Sequence, residues 1–375
     1  MLPRGLTFVS YFSRNGMWLR HLTLTTWQRR SSGNRENTMP QKTSALVVAK
    51  DNGYGLTMDA ALVGETLEEI GFAVEFARQG TRGLLERLRK KADYDVAFHI
   101  ERAFPEWRNA ARKNVLIPNQ ERFPRRHIGR LRSMDAVLTK TAHAQSIFSA
   151  LGAPVLPVGF SSRDLYDASV AKDWRGFLHV AGGSTVKGTE DIVALWARHP
   201  EWPELLLVQK EKKLPADMPP NVRTLQGFLA EDELRALMNR CGIHLCPSRS
   251  EGWGHYIHEA LGCGAVVITT DAPPMNEFVD PRVGFLVPAG RQQPRHLGTD
   301  YFIDPAALEA AITTALETDP DLLAARGQDA RQHFLANRNA FAERLSNALA
   351  QIIVECPASD AGRQVGSLQE SSKAT

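Results

Sequence analysis

The feature that most constrains the fold is an alternation of strand and helix patterns that runs along the chain twice. The first round opens with the apolar run 45–49 and the helix-period segment 57–72. The second round runs from 177–183 to the apolar run 265–269, after a polar connector at 161–176. Short apolar runs separated by helix-period segments are typical of parallel sheets that carry helices on both faces.

We therefore predict an α/β chain with two doubly wound parallel-sheet domains that face each other across a cleft. In this architecture ligands bind beyond the carboxyl ends of the strands, so the cleft is the expected site. The predicted division of the chain is an extension at 1–40, an N-terminal domain at 41–165, a C-terminal domain at 172–335, a closing helix at 336–355 and a disordered tail at 356–375.

The net charge of +3 comes from the start of the chain. Residues 1–38 hold six arginines and one acidic residue, Glu36, without the long apolar core of a secretory signal. Two interpretations stay open: an organelle-targeting segment, or an upstream extension of a reading frame that starts at Met39. In the rest of the chain acidic residues slightly outnumber basic ones, so we predict no nucleic-acid partner.

The remaining composition favours a cytoplasmic protein. Apolar residues make up 43% of the chain, and no run reaches the length of a membrane span. The four cysteines show no CxxC spacing, which predicts free thiols in a reducing compartment. The arginine-rich segment 121–132 leaves two interpretations open, a solvated surface or a peripheral contact of 122–132 with anionic lipid or an anionic acceptor.

The segment 250–267, SEGWGHYIHEALGCGAVV, combines two glutamates with the start of a short helix. Glycines on either side of 255–261 predict that this stretch is helical. At 1.5 Å per residue, the carboxylates of Glu251 and Glu259 would lie roughly 12 Å apart. The amides at the helix start attract an anion, so the segment suits an extended ligand with a negatively charged centre.

This segment belongs to a longer pattern that resembles the group 1, or family 4, retaining glycosyltransferases of GT-B fold. Residues 246–279, CPSRSEGWGHYIHEALGCGAVVITTDAPPMNEFV, contain Pro-Ser, an E-x7-E pair, a Val-Val strand and a final glutamate before an apolar pair. VKGTEDIVALW, TLQGF and DELRALMNRC occur in the family's order. The resemblance implies transfer of a sugar from a nucleoside-diphosphate sugar to the hydroxyl of an unidentified acceptor, without a further cofactor or a metal.

The resemblance also implies roles for single residues. Glu259 would accept hydrogen bonds from the ribose hydroxyls, and Glu251 would meet the donor sugar near the transferring carbon. Lys187 would neutralise the leaving diphosphate. The other predicted donor-binding residues are Gly252, Trp253, Gly254, His255, Ser184, Thr185, Gly53 and Gly55.

Two positions depart from the family's pattern. Gly182 stands where the family commonly has an arginine, so Ser184 and Thr185 are expected to supply neutral donors instead. Pro273 and Pro274 replace the usual glycine pair, which predicts a stiffer loop before the final glutamate.

Four histidines are candidates for catalysis or for metal binding. His99, at the end of a predicted strand, matches a cleft histidine of the family and is the third catalytic candidate, with a packed or exposed histidine as the alternative. Glu101 is a second candidate on the same side of that strand. His244, His255 and His258 lack HExxH order, so we predict no metal site.

Two other functions stay open at this point. The missing arginine favours a non-catalytic relative that binds a nucleotide or a partner protein. A sugar-nucleotide epimerase would use the same donor site without any acceptor.

Overall fold

The computed structural model describes residues 42–50, 55–88, 92–210, 218–226 and 229–354. The predicted extension at 1–40, the predicted tail at 356–375 and Gly53 lie outside the described residues. Within the described part, the chain folds into two α/β domains.

A parallel sheet of six strands builds the N-terminal domain, as the alternation predicts. Its strands are β1 (Ser44–Ala49), β2 (Ala73–Arg78), β3 (Tyr94–Glu101), β4 (Ala111–Pro118), β5 (Ala136–Thr139) and β6 (Val155–Pro157). Their order across the sheet is β2-β1-β3-β4-β5-β6. The helices of this domain are α1 (Gly55–Glu69), α2 (Leu84–Arg87) and α3 (Ala142–Ala150), and 3-10 turns cover Pro105–Ala110, Gln120–Arg122 and Arg125–Ser133.

A sheet of seven strands builds the C-terminal domain. Its strands are β7 (Asp173–Gly182), β8 (Leu205–Gln209), β9 (Val222–Gln226), β10 (Cys241–Cys246), β11 (Val266–Asp271), β12 (Gly284–Arg295) and β13 (Gly298–Ile303). Their order is β13-β12-β11-β10-β7-β8-β9, and every neighbouring pair is parallel except β12 and β13. The helices packed on this sheet include α4 (Thr189–Arg198), α5 (Glu231–Arg240) and α6 (His255–Gly262).

The antiparallel hairpin of β12 and β13 was not predicted. The second half of β12, residues 290–295, consists of glycine, proline and polar residues and is mostly exposed, so the sequence has no apolar run there. At its tip the hairpin touches the N-terminal domain, since Arg125 Nε donates to the carbonyl of His296 at 3.3 Å. The hairpin therefore reaches across the cleft at one end.

The chain ends in α7 (Pro305–Glu317) and α8 (Pro320–Val354). The predicted boundary between 335 and 336 falls inside α8, which is one continuous helix. Leu323, near its start, packs in the core of the C-terminal domain, whereas Phe341 and Leu345 join a cluster with Val63 of α1. Helix α8 thus crosses from one domain to the other and packs against both.

The two domains share one apolar cluster. It contains Val47 and Phe98 from the first sheet together with Ile257 of α6 and Met275 from the second domain. Cys241, Cys246 and Cys263 are buried free thiols, as predicted, and Cys356 lies outside the described residues. No helix in the described part of the chain is both long and apolar enough to span a bilayer.

Candidate active site between the two domains

Helix α6 begins at His255, within the predicted range, after a turn that requires glycine. Gly254 caps the helix with φ +74°, a left-handed conformation that side chains with a Cβ avoid. Every residue of α6 after His255 is buried, so the helix is fixed in position by its packing. Its first amides face the junction of the domains with the positive end of the helix dipole.

Glu251 lies in the loop that enters α6 and is held by a chain of hydroxyl groups. Ser248 Oγ donates to Glu251 Oε1 at 2.5 Å and lies 2.6 Å from the Tyr256 hydroxyl. Because the serine proton is used on the glutamate, the tyrosine proton is donated to the serine. This relay fixes the Glu251 carboxylate at the start of the helix.

Lys187 lies beside Glu251. Its Nζ is 3.9 Å from Glu251 Oε1 and 3.0 Å from the centre of the Tyr256 ring. Burial lowers the pKa of Lys187, while Glu251 opposes that shift. The loop that carries Lys187 is tied to the glutamate loop, since the Arg249 amide donates to the Val186 carbonyl at 2.8 Å.

The two remaining predicted donors of this loop are placed differently. Ser184 Oγ accepts from the Val186 amide at 3.3 Å, and Thr185 is exposed. Gly182 adopts φ +57°, and among the described residues no atom beyond its two chain neighbours lies within 4 Å of where its Cβ would be. The position that carries arginine in the family therefore has open space and a left-handed backbone here.

Glu259 is buried along α6 and paired with a residue that the sequence pattern did not single out. Arg163, from the connector between the domains, donates from Nε to Glu259 Oε1 at 3.2 Å and from Nη1 to Glu231 at 2.8 Å. The arginine comes from the polar connector, where no motif marks it. Glu259, the residue predicted to bind the ribose, thus has a cation beside it.

His255 takes part in a buried charge network that joins the domains. Its Nε2 lies 2.7 Å from Asp59 Oδ1 of α1, and its Nδ1 lies 2.9 Å from Ser162 Oγ. Lys140 donates to Asp59 Oδ2 at 2.7 Å and to Asn119 Oδ1 at 3.0 Å. Burial alone would raise the pKa of Asp59, but Lys140 and His255 lower it to about 2.

Trp253 and Gly252 position the glutamate loop. Trp253 is 5% exposed, donates from Nε1 to Ser162 Oγ at 3.0 Å and stacks on His258 at a centroid distance of 3.9 Å. A Cβ on Gly252 would lie 2.5 Å from Asn119 Oδ1. The tryptophan therefore packs in the core, and the glycine admits a side chain of the other domain. Direct donor contacts of both residues stay predictions.

His99 is fully buried, and both of its ring nitrogens form hydrogen bonds within the protein. The Phe104 amide donates to its Nδ1 at 3.1 Å, so Nε2 carries the proton and donates to Asn114 Oδ1 at 3.0 Å. Burial lowers the pKa of this histidine, whose exposed fraction is 0%. Both ring nitrogens are used within the protein, which favours the packed-histidine alternative over a catalytic role. Glu101 is also buried and bonds to Arg102.

Gly55 and Glu277 are each found at the start of a helix of the N-terminal domain, the first within the helix and the second in contact with it. Gly55 is the first residue of α1, the helix that carries Asp59. Glu277 accepts from the amides of Ala142 and His143 at 2.6 and 2.8 Å, so it holds the start of α3 in the other domain. The sequence pattern marks this residue only as the final glutamate before an apolar pair, and it does not predict the contact with the other domain.

Glu121, which the sequence pattern did not single out either, lies at the same junction. It lies three residues after the end of β4 and next to Gln120, whose Nε2 donates to the Glu251 carbonyl at 2.7 Å. Burial raises the pKa of Glu121 to about 7 with help from Glu251, while a hydrogen bond from its own backbone amide and the charges of Arg122 and Lys140 oppose the shift. A polar run at the carboxyl end of a buried strand was the available signal.

Replacing Glu121 by glutamine should change how the stability of the protein depends on pH. The folded pKa lies above the unfolded value, so the folded state binds the extra proton and loses stability as pH rises from about 4.5 to 7. The loss amounts to about 3 kcal/mol. Urea unfolding at pH 5 and pH 8 should show that wild type loses most of this stability relative to Glu121→Gln, since the buried histidines whose pKa values are lowered contribute alike to both proteins. An equal pH dependence of stability in both proteins would contradict the assignment.

A known protein family matches the part of the chain that contains this candidate site. Residues 210–333 match the family described as glycosyl transferases group 1. The matched segment is about a third of the chain and contains Glu251 and Glu259. No protein with a curated description matches the chain.

Solved structures share the two-domain fold at low sequence identity. Sucrose-phosphate synthase from Thermosynechococcus elongatus superposes with a TM-score of 0.64 at 16% identity, covering 84% of this chain and 100% of that one. A glycosyltransferase from Rickettsia africae gives 0.63 at 14% identity, covering 83% and 99%. HepE from Anabaena, solved with UDP and glucose, gives 0.60 at 16% identity, covering 82% and 100%. The fold of the chain is GT-B.

Proposed function

We propose that this protein is a retaining glycosyltransferase that moves a sugar from a nucleoside-diphosphate sugar to an acceptor hydroxyl. The observation that carries the proposal is the grouping of Glu251, Lys187 and the start of α6 at the domain junction, with Glu259 further along the same helix. The site offers positive charge at its centre and carboxylates at both ends, as a sugar nucleotide requires.

In the proposed reaction the C-terminal domain holds the donor. The amides at the start of α6 and the ammonium group of Lys187 stabilise the diphosphate as the bond from C1 to its oxygen breaks. The acceptor oxygen forms the new bond to C1 on the same face, and its proton passes to the leaving diphosphate. Catalysis then consists of positioning and charge stabilisation, with no protein nucleophile and no further cofactor.

The structure of HepE with UDP and glucose supports a nucleotide sugar as the substrate, and it makes uridine the first base to test. Glu259 is proposed to accept from the two ribose hydroxyls. Ribose binding then competes with the present contact from Arg163, so the arginine must share or release the carboxylate.

Nucleotide binding should appear as a shift of the thermal midpoint with UDP, GDP or ADP, alone and as sugar conjugates. A ligand at one hundred times its dissociation constant stabilises the folded state by about 2.7 kcal/mol. We expect a shift with one base in wild type and none in Glu259→Ala. Glu68→Ala, an exposed glutamate of α1, is the matched control and should keep the shift. Absence of any shift in a cooperatively melting wild type would contradict the proposal.

A non-catalytic relative is the second candidate, because Gly182 supplies no side chain beside the diphosphate. Such a protein would bind the nucleotide sugar but neither transfer nor hydrolyse its sugar. Release of nucleoside diphosphate that depends on Glu251 distinguishes the transferase from this relative. Interconversion of the sugar without nucleotide release would instead identify an epimerase.

We also propose a peripheral contact with anionic lipid on the cytoplasmic side through 122–132. Arg122, Arg125, Arg126 and Arg132 are exposed there, while Leu131 is buried and anchors the segment. Wild type should sediment with vesicles that contain anionic lipid at low salt. At high salt it should stay in the supernatant, since screening weakens the attraction between the charges. Replacing the four arginines by glutamine should abolish sedimentation. Equal binding to neutral vesicles would contradict this proposal.

A further inference from the structure

The turn after β4 holds two buried oxygen atoms that have no hydrogen-bond partner in the described part of the protein. Gln120 is 1% exposed and Glu121 is 7% exposed. The atoms without a hydrogen-bond partner are Gln120 Oε1 and Glu121 Oε2. Buried polar atoms are nearly always paired in folded proteins, so two such acceptors on neighbouring residues point to a missing donor.

The backbone of this turn is held from both sides. A rotation of the backbone therefore does not explain why the two acceptors have no hydrogen-bond partner. Gln120 Nε2 donates to the Glu251 carbonyl at 2.7 Å, and the Leu297 amide donates to the Gln120 carbonyl at 3.2 Å. On the hairpin side, a Cβ on Gly298 would lie 3.4 Å from the Glu121 Cα. The glutamate loop and the β12–β13 hairpin therefore hold the turn between them.

No charged side chain among the described residues donates a hydrogen bond to Glu121 Oε2. Arg122 Nε stays 3.8 Å from Glu121 Oε1, and its side chain is 58% exposed. Lys140 already donates to Asp59 and to Asn119. Glu251 raises the pKa of Glu121 by repulsion, after burial as the larger cause. The site thus presents acceptor atoms opposite a second carboxylate and needs hydrogen-bond donors between them.

We propose that Gln120 Oε1 and Glu121 Oε2 accept hydrogen bonds from carbohydrate hydroxyl groups, either of the transferred sugar or of the alcohol that receives it. The inference rests on the proposed function, because Glu251 marks where the transferring carbon lies. Glu121 binds a hydroxyl there and forms no covalent bond. A divalent cation fits less well, since the described residues contain no group of three or more His, Cys, Asp or Glu side chains able to hold one.

Glu121→Gln tests this inference, with Glu68→Gln as the matched control. UDP and UDP-glucose are titrated calorimetrically into each protein, with the ADP or GDP pair used if the thermal panel selects another base. Nucleotide release is then followed with a panel of methyl glycosides as acceptors. In every case the Kd for the free nucleoside diphosphate should stay within twofold of wild type.

The two sources of hydroxyl groups give different results. If the transferred sugar is bound, Glu121→Gln weakens the sugar conjugate at least tenfold while the free nucleotide is unaffected. If the acceptor is bound, donor affinity stays and the acceptor KM rises at least tenfold. A Glu121→Gln protein that equals the Glu68→Gln control in both respects overturns the inference.

A structural role for Glu121 would give another pattern. It would lower the thermal midpoint of Glu121→Gln below that of the control at pH 8 and weaken nucleotide and sugar conjugate alike, which also overturns the inference. We expect a midpoint no lower than the control, because the substitution removes a buried charge that lacks a partner. Failure of wild type to bind any nucleotide sugar overturns the proposed function together with the inference, and so differs from failure of the variant test alone.

Discussion

Asp59→Ala should lower the free energy of unfolding by about 3–5 kcal/mol, as expected when one partner of a buried ion pair is removed. The side chains of Asp59 and Lys140 are 3% and 1% exposed. Without the carboxylate, the buried lysine keeps Asn119 as its hydrogen-bond partner among the described residues but has no anion beside it there, and His255 loses its partner on Nε2. Urea denaturation at pH 7 measures the effect.

The control for this prediction is Asp93→Ala, which removes an exposed aspartate of the same domain and should change stability by less than about 0.5 kcal/mol. The double variant Asp59→Ala, Lys140→Met should recover part of the loss, since no uncompensated charge remains buried. If Asp59→Ala unfolds within about 1 kcal/mol of wild type, the pair does not hold the domain junction in the way we describe.

Lys187→Ala should lower kcat by about 10²–10³-fold, the size of effect seen when one preorganised donor to a developing negative charge is removed. Its Nζ lies between the Tyr256 ring and Glu251, and this position at the start of α6 suits a diphosphate oxygen. Nucleotide release from the sugar conjugate under single-turnover conditions measures the effect. Affinity for the free nucleotide should fall less than the rate.

Lys187→Arg and Lys113→Ala complete that experiment. The arginine variant keeps the charge and should retain more activity than the alanine variant. Lys113 pairs with Asp135 at 3.5 Å on the N-terminal sheet, so its removal should leave the rate unchanged. A Lys187→Ala protein with a rate within threefold of wild type would show that the lysine does not stabilise the leaving group.

Hydrophobic periodicity and glycine positions in the sequence predicted the parallel strands and the start of α6. The alternation in the first domain corresponds to a sheet of six parallel strands, and α6 begins at the residue that the glycines indicated. The β12–β13 hairpin was not predicted because the second half of β12 is polar and mostly exposed. The predicted boundary near 335 falls inside α8, which is one continuous helix and packs on both domains.

The candidate site was predictable only where a motif marks it. Glu251, Glu259 and Lys187 stand in a recognisable pattern, and the structure brings the first and the last within 3.9 Å. Asp59 and Lys140 are 81 positions apart and belong to no motif, so their contact depends on the sheet order. His99 shows the opposite case, since a position at a strand end predicted exposure to the cleft while the Phe104 amide and Asn114 occupy its nitrogens.

A crystal structure of the protein with the nucleoside diphosphate selected by the thermal panel tests the central claim most directly. We predict density for the diphosphate at the start of α6 within hydrogen-bonding distance of Lys187 Nζ, with both ribose hydroxyls on Glu259. A nucleotide bound away from α6, or a ribose that leaves Glu259 paired only with Arg163, would contradict the account.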